Sequence, residues 1–243
     1  MSDKGTLKTM MKMITYGAAV ISLSLLSFNA YSLAFGAIKG KFDCPDIHNS
    51  QLCARNIEKT IISQNPIIQR VNETQLKIKL QNGKELLFVD SWDSEFYDEN
   101  ANFTAIELLN NNKFLLIHKQ YWEGNSYVLV SLSNGKQIPL EGYPAMSPNN
   151  NLMIVAEIDL EAEYSPNTFQ LYKVNKNGIV ILFDAKPDNW GPDKVEWLSN
   201  TMVKFIKRRI NLNYEPKKNP EFYVEEEKLF DLTDIKKLKI KPQ

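Results

Sequence analysis

The chain predicts an all-β fold of antiparallel hairpin repeats with one short N-terminal helix. Two observations carry this prediction. Three times an Asn-Gly pair separates two short runs of strand-forming residues, and only one stretch of the mature chain places apolar residues at helical spacing.

The helical stretch covers residues 54–63, where Ile57, Ile61 and Ile62 share one face and Arg55, Glu58 and Lys59 are left to face water. Asn65-Pro66 stops it, because the residue before a proline is pushed out of the helical region. The hairpins follow. Residues 75–80 alternate, Asn82-Gly83 supplies two positive-φ positions of a tight turn, and residues 85–89 return. The arrangement recurs as 127–132, Asn134-Gly135 and 136–138, and again as 169–174, Asn177-Gly178 and 179–183. Further hairpins precede the last two: 106–109 with 113–117 across three asparagines, and 144–146 with 152–156 across residues 147–151. A fourth unit reads 195–198, 202–206, 222–224 and 228–230.

Asn82 lies 52 residues before Asn134, which lies 43 before Asn177; these spacings bracket the length of a four-stranded propeller blade. The β part, residues 67–243, therefore reads as blade-like repeats in a small or partial β-propeller, with a twisted β-sandwich as the alternative. The segment Tyr143-Pro-Ala-Met-Ser-Pro-Asn-Asn-Asn-Leu-Met-Ile-Val-Ala156 resembles the S-P-D-G-x hairpin of TolB-type and WD40-like propellers. That resemblance implies that the strands entering and leaving the turn are neighbours in one blade. It also implies that Asn150, standing where such blades place glycine, adopts a left-handed conformation. Residues 159–167 and Trp190-Gly191-Pro192 resemble segments of small exported bacterial proteins, a resemblance to which no activity attaches.

Lys4, Lys8 and Lys12 precede an uncharged apolar run of 11 residues, 18–28, and small residues follow at Ala30, Ser32 and Ala34. This is the layout of a secretory signal peptide over residues 1–34, and it predicts a periplasmic or secreted protein. The run is shorter than the roughly 20 residues that span a bilayer, so membrane attachment is expected only if the segment stays uncleaved and extends through Ile38. In an oxidising compartment Cys44 and Cys53, the two cysteines of the chain, become a disulfide staple across eight residues within the 35–66 segment. Their spacing excludes a C-x-x-C redox pair, and His48 alone does not complete a zinc site.

Lysine plus arginine and aspartate plus glutamate each number 29, so no bulk charge favours nucleic acid as a partner. The sequence also lacks G-x-S-x-G, G-x-x-x-x-G-K-[ST] and G-x-G-x-x-G, which removes the usual evidence for α/β-hydrolase, nucleotide and dinucleotide chemistry. His48 and His118 read as structural.

Two acidic stretches remain. Asp90, Asp93, Glu95, Asp98 and Glu99 offer oxygens to a hard cation such as calcium, although the EF-hand glycine is missing. Glu157, Asp159, Glu161 and Glu163 alternate with apolar residues, so in a strand all four would share one face, as a ligand site or as carboxylates for glycoside hydrolysis. Trp92, Tyr97, Tyr121, Trp122, Tyr143, Tyr164 and Trp190 fall in or beside expected loops, where aromatic rings either stack on a ligand or pack between units. The basic tail, Lys236 to Lys241, reads as a lysine-protected edge strand. Together these features predict a binding or interaction module for an envelope protein or polysaccharide, using Trp92, Tyr97, Asp159, Glu161, Glu163 and Tyr164. The alternative is an envelope-directed hydrolase using the acids of 157–163.

Overall fold

The structure, a computed structural model, describes residues 50–91, 100–122, 124–175 and 178–233. These residues belong to one compact unit, 36–243. They form mostly β-structure: four antiparallel sheets and one helix.

Helix α1 (Ser50–Gln64) opens the described chain and ends at Asn65, whose side-chain amide donates to the Ile61 carbonyl at 2.9 Å. The first sheet then holds β1 (Ile68–Asn72), β2 (Gln75–Lys79) and β3 (Glu85–Val89). The second holds β4 (Asn102–Leu109), β5 (Phe114–Gln120), β6 (Asn125–Ser131) and β7 (Gln137–Leu140). The third holds β8 (Tyr143–Met146), β9 (Leu152–Glu157), β10 (Thr168–Asn175) and β11 (Gly178–Ala185). The fourth holds β12 (Gly191–Trp197), β13 (Met202–Ile210) and β14 (Tyr223–Asp231). Within every sheet the strands are hydrogen-bonded in chain order, so each sheet is a meander made from one continuous stretch of chain.

The turn chemistry differs from expectation in one respect. Gly83 and Gly135 take left-handed φ of 81° and 79°, but Asn82 and Asn134 are not among the positive-φ residues. Each asparagine instead accepts, through Oδ1, the backbone N–H two residues on, from Lys84 at 3.0 Å and Lys136 at 2.9 Å. The asparagine therefore closes an Asx turn and leaves the left-handed position to glycine. Asn150 does take the left-handed conformation, with φ 57°, and Asn110, Asn111 and Asn112 do so consecutively at 50°, 53° and 61°. In the last hairpin Asn177 lies outside the described residues.

The strand boundaries hold two further corrections. Strand β1 pairs with β2 from Ile68↔Ile78 onward and was not anticipated, while the two short strands expected at 222–224 and 228–230 are one strand, β14, paired with β13 throughout.

Three apolar layers join the sheets face to face. Ile68, Leu76, Ile78 and Phe88 of the first sheet meet Leu115, Ile117 and Val130 of the second. The opposite face of β5, through Phe114 and Leu116, packs with Met153, Val155 and Tyr172 of the third. The opposite face of β9, through Ile154 and Ala156, packs with Trp197, Val203, Phe205 and Phe230 of the fourth. Because side chains alternate along a strand, each middle sheet serves two layers, and the sheets stand in a row in chain order. Among the described residues no such layer joins the first sheet to the fourth.

Helix α1 lies along the free edge of β4, where Glu58, expected at the surface, is only 2% exposed. Its carboxylate accepts from Arg70 Nη2 at 2.7 Å and Nε at 2.9 Å, from Arg55 Nη1 at 3.2 Å and from the Ala105 backbone N–H at 2.9 Å. Asp90 accepts from Arg55 at 2.5 Å and from the Phe103 N–H at 2.8 Å, while the Phe103 carbonyl accepts from Arg70 at 2.6 Å. Charged side chains from α1 and the first sheet thus occupy the hydrogen-bonding groups of an edge strand that would otherwise invite another strand. Cys53 is buried in α1, and Cys44 lies outside the described residues. No helix among the described residues is long and apolar enough to cross a membrane.

Candidate functional site

The meander topology sorts the connections to two ends of the row. At one end are the tight turns 80–84, 110–113, 132–136, 147–151 and 198–201. At the other are 73–74, 141–142, 158–167, 186–190 and 211–222, together with the described ends of the connections from β3 to β4 and from β5 to β6. Contacts between sheets keep the ends aligned. Gln81 N–H donates to Leu132 O at 2.9 Å at the turn end, and Phe103 N–H reaches Asp90 at 2.8 Å at the loop end. Also at the loop end, Gly142 abuts Ala156, and Gly191 abuts Ile158 and Asn167.

The stems of the 90–101 and 158–167 loops therefore share the loop end. Trp92 and Tyr97, with Asp93, Glu95, Asp98 and Glu99, lie outside the described residues. Asp90 itself belongs to the ion-pair cluster under α1. Among the described residues no group of three or more His, Cys, Asp or Glu side chains is placed to hold a metal.

Residues 158–167 are a loop and not a strand, so the four acids do not share a sheet face; β9 ends at Glu157, opposite Thr168 of β10. The loop winds around Asp159, whose carboxylate accepts the backbone N–H groups of Tyr164 at 2.8 Å, Ala162 at 3.1 Å and Ser165 at 3.1 Å. Desolvation raises the pKa of this carboxyl, but the backbone donors outweigh it and hold it below the ordinary aspartate value. Asp159 thus organises the loop. Glu161 accepts from the Tyr223 hydroxyl, which ties the 158–167 loop to the start of β14. Glu163 takes a left-handed φ of 56°, and Tyr164 is 60% exposed.

A groove runs along the loop end beside these residues. One section, a cavity of about 210 Å3, is lined by Asn125, Tyr127, Tyr143, Glu157 and the Pro192 to Val195 stretch of β12. The adjoining section, about 370 Å3, is lined by His118, Gln120, Tyr121, Trp122, Gly124 and the same Asn125 and Tyr127. Tyr127 is the shared wall, held edge to face on Tyr143 at 5.5 Å between ring centroids and tilted against His118 at 5.5 Å. Tyr143 donates its hydroxyl to Glu107. Burial raises the pKa of both tyrosines, and the Glu157 and Glu107 carboxylates raise them further, so both stay neutral phenols. Burial lowers the His118 pKa to about 4, which keeps the imidazole neutral near pH 7.

The rim carries the exposed aromatics. Trp122 is 75% exposed at the tip of the β5–β6 turn, and Lys119 lies over the Tyr121 ring at 4.8 Å. A Cβ on Gly124 would stand 3.7 Å from that of Tyr164, so the Asp159-centred loop borders the same groove. The opposite rim is a β-bulge in β12 between Asp193 and Glu196, where Lys194 adopts φ 49°. Left-handed lysine in a strand is strained, and here the bulge directs its stretch of backbone into the groove. Asp193 beneath it is 4% exposed and pairs with Arg208 at 2.6 Å.

Of the residues expected to bind a ligand, the structure sets Tyr164 beside Gly124 of the groove, while Asp159 holds its own loop and Glu161 meets Tyr223; Trp190 and Trp197 pack between the third and fourth sheets. Tyr127, His118, Asp193 and Lys194 were not singled out as ligand-facing. A polar residue closing an apolar strand, as His118 does after Phe114 to Ile117, was the signal present in the sequence. No family model matches the chain, and no curated protein sequence matches it significantly.

Proposed function

We propose that the chain is an exported binding module, periplasmic or secreted, whose four sheets are blades of a partial β-propeller of the TolB-type and WD40-like kind. The in-order meander of each sheet supports the blade reading, because every sheet uses its first and last strands as edges and packs on its neighbours in chain order through its faces. The observation that carries the binding reading is the groove centred on Tyr127. It combines aromatic walls, exposed Trp122 and Tyr164 on the rim, and a strained bulge at Lys194. Aromatic faces beside amides and carboxylates suit a ligand with apolar faces and hydroxyl edges, and the ligand class is an envelope polysaccharide. No contact favours hydrolysis through 157–163, where Asp159 is engaged by the backbone of its own loop.

The test is retention of the purified protein on immobilised envelope polysaccharide. Trp122→Ala and Tyr164→Ala are expected to weaken retention about tenfold each, in line with roughly 1–2 kcal/mol for a stacked aromatic, while thermal midpoints stay unchanged. Equal retention of the parent and both variants, or none for the parent, would sink the reading.

A further inference from the structure

Among the described residues each middle sheet buries both faces against neighbours, but the first and fourth sheets each bury only one. Their remaining faces hold the largest apolar side chains exposed on the strands of these sheets. On the first sheet, Leu87 is 54% and Val89 47% exposed, opposite Lys77 and Gln75 in register and therefore on one face. On the fourth, Leu229 is 63% exposed opposite Lys204, with Ile206 and Met202 half-buried on the same face.

The two faces differ in charge. The first carries Lys77 and Lys79 against Glu85, with Lys77 and Glu85 paired at 3.6 Å. The fourth carries Glu196, Glu225, Glu227 and Asp231 against Lys204 and Arg208, both already paired, at 3.3 Å to Glu196 and 2.6 Å to Glu225. One face therefore has a surplus cation and the other surplus carboxylates, around apolar centres.

We propose that these faces are the two halves of one interface: the first sheet of one copy packs on the fourth sheet of a second copy, head to tail. A single such contact leaves another pair of faces open, so the assembly is complete only when the ring closes. Two copies close it with eight sheets, within the four to eight blades of propeller rings, whereas three copies would need about twelve. The two contacts are then identical and related by a two-fold axis.

Sedimentation equilibrium on the protein purified from cells is expected to give twice the chain mass. Leu87→Asp and Leu229→Asp should each give single copies, because each of the two contacts contains one Leu87 and one Leu229. Mixing the two variants should restore pairs, since one contact then has both leucines. Lys79→Glu provides a milder surface change, expected to weaken pairing about tenfold, and adding Glu227→Lys in the same chain should recover it. A parent that remains single at 100 μM, a larger assembly or filament, or pairing indifferent to Leu229→Asp would overturn the proposal.

Discussion

Glu58 shows how one side chain can bind three elements. Its carboxylate, 2% exposed, meets Arg55 of its own helix, Arg70 of β1 and the Ala105 N–H of β4. Replacing it by alanine would leave Asp90 as the one carboxylate facing both guanidinium groups and the Ala105 N–H without its acceptor, and a loss of about 3 kcal/mol is expected in urea unfolding. Glu58→Gln keeps the shape but drops the charge, and should recover only part of the loss. His118 gives a pH-dependent counterpart. Its pKa is lowered by burial to about 4, against about 6.5 in an unfolded chain, so the unfolded state binds the proton first. Stability from this group is complete above about pH 6.5 and declines as pH falls toward 4, by roughly 3 kcal/mol in all. His118→Phe is expected to flatten that part of the stability profile, measured by thermal unfolding between pH 4 and 7. The sequence made Asn150 legible, because few residues other than glycine tolerate a left-handed turn. It hid Glu58, whose burial depends on Arg70 twelve positions later on a strand.

At the scale of the element, the hairpins were readable because their turns carry the chemistry the backbone demands, and the errors have physical causes. Strand β1 has only Ile68 and Val71 as apolar residues, so its alternation was too faint to stand out. Strand β14 was divided because Glu225, Glu226 and Glu227 interrupt its apolar pattern, yet an edge strand accepts such charge. The 158–167 segment misled in the opposite direction. Its acids alternate like a strand, but β10 pairs β9 only as far as Glu157, and without a partner the chain curls around Asp159 instead. The tight passage between the second and third sheets offers a test. A Cβ at Gly142 would stand 2.3 Å from the Ala156 carbonyl oxygen, so Gly142→Ala must shift backbone and should cost about 1–3 kcal/mol by thermal unfolding. Gly83→Ala meets nothing within 4 Å; its cost should be limited to the left-handed φ, about 1 kcal/mol.

Across the whole molecule, period and turn chemistry predicted four repeating units, and the structure contains four sheets. The groove was harder to foresee, since Tyr127, Tyr143 and Lys194 come from three sheets and meet only because every odd connection returns to the same end. Residue type could nominate Tyr164 but could not place it beside Gly124. At this scale we also propose that Cys44 and Cys53 are joined: intact-mass measurement before and after reduction should differ by two hydrogens, with no thiol reacting before reduction.

The in-order stacking has a consequence for how the protein loses its structure. Because each sheet is one continuous stretch of chain held by its immediate neighbours, opening an outer sheet forfeits a single apolar layer, whereas opening a middle one forfeits two. In single copies, as the Leu229→Asp variant should provide, protection against hydrogen exchange should therefore form a gradient, strongest at Leu116 and Val155 and weakest along β13 and β14, with the fourth sheet peeling away while the centre stays closed. Melting of a single copy would begin at the ends of the row and travel inward, as in a linear polymer whose terminal units fray first, whereas closing the ring removes those ends.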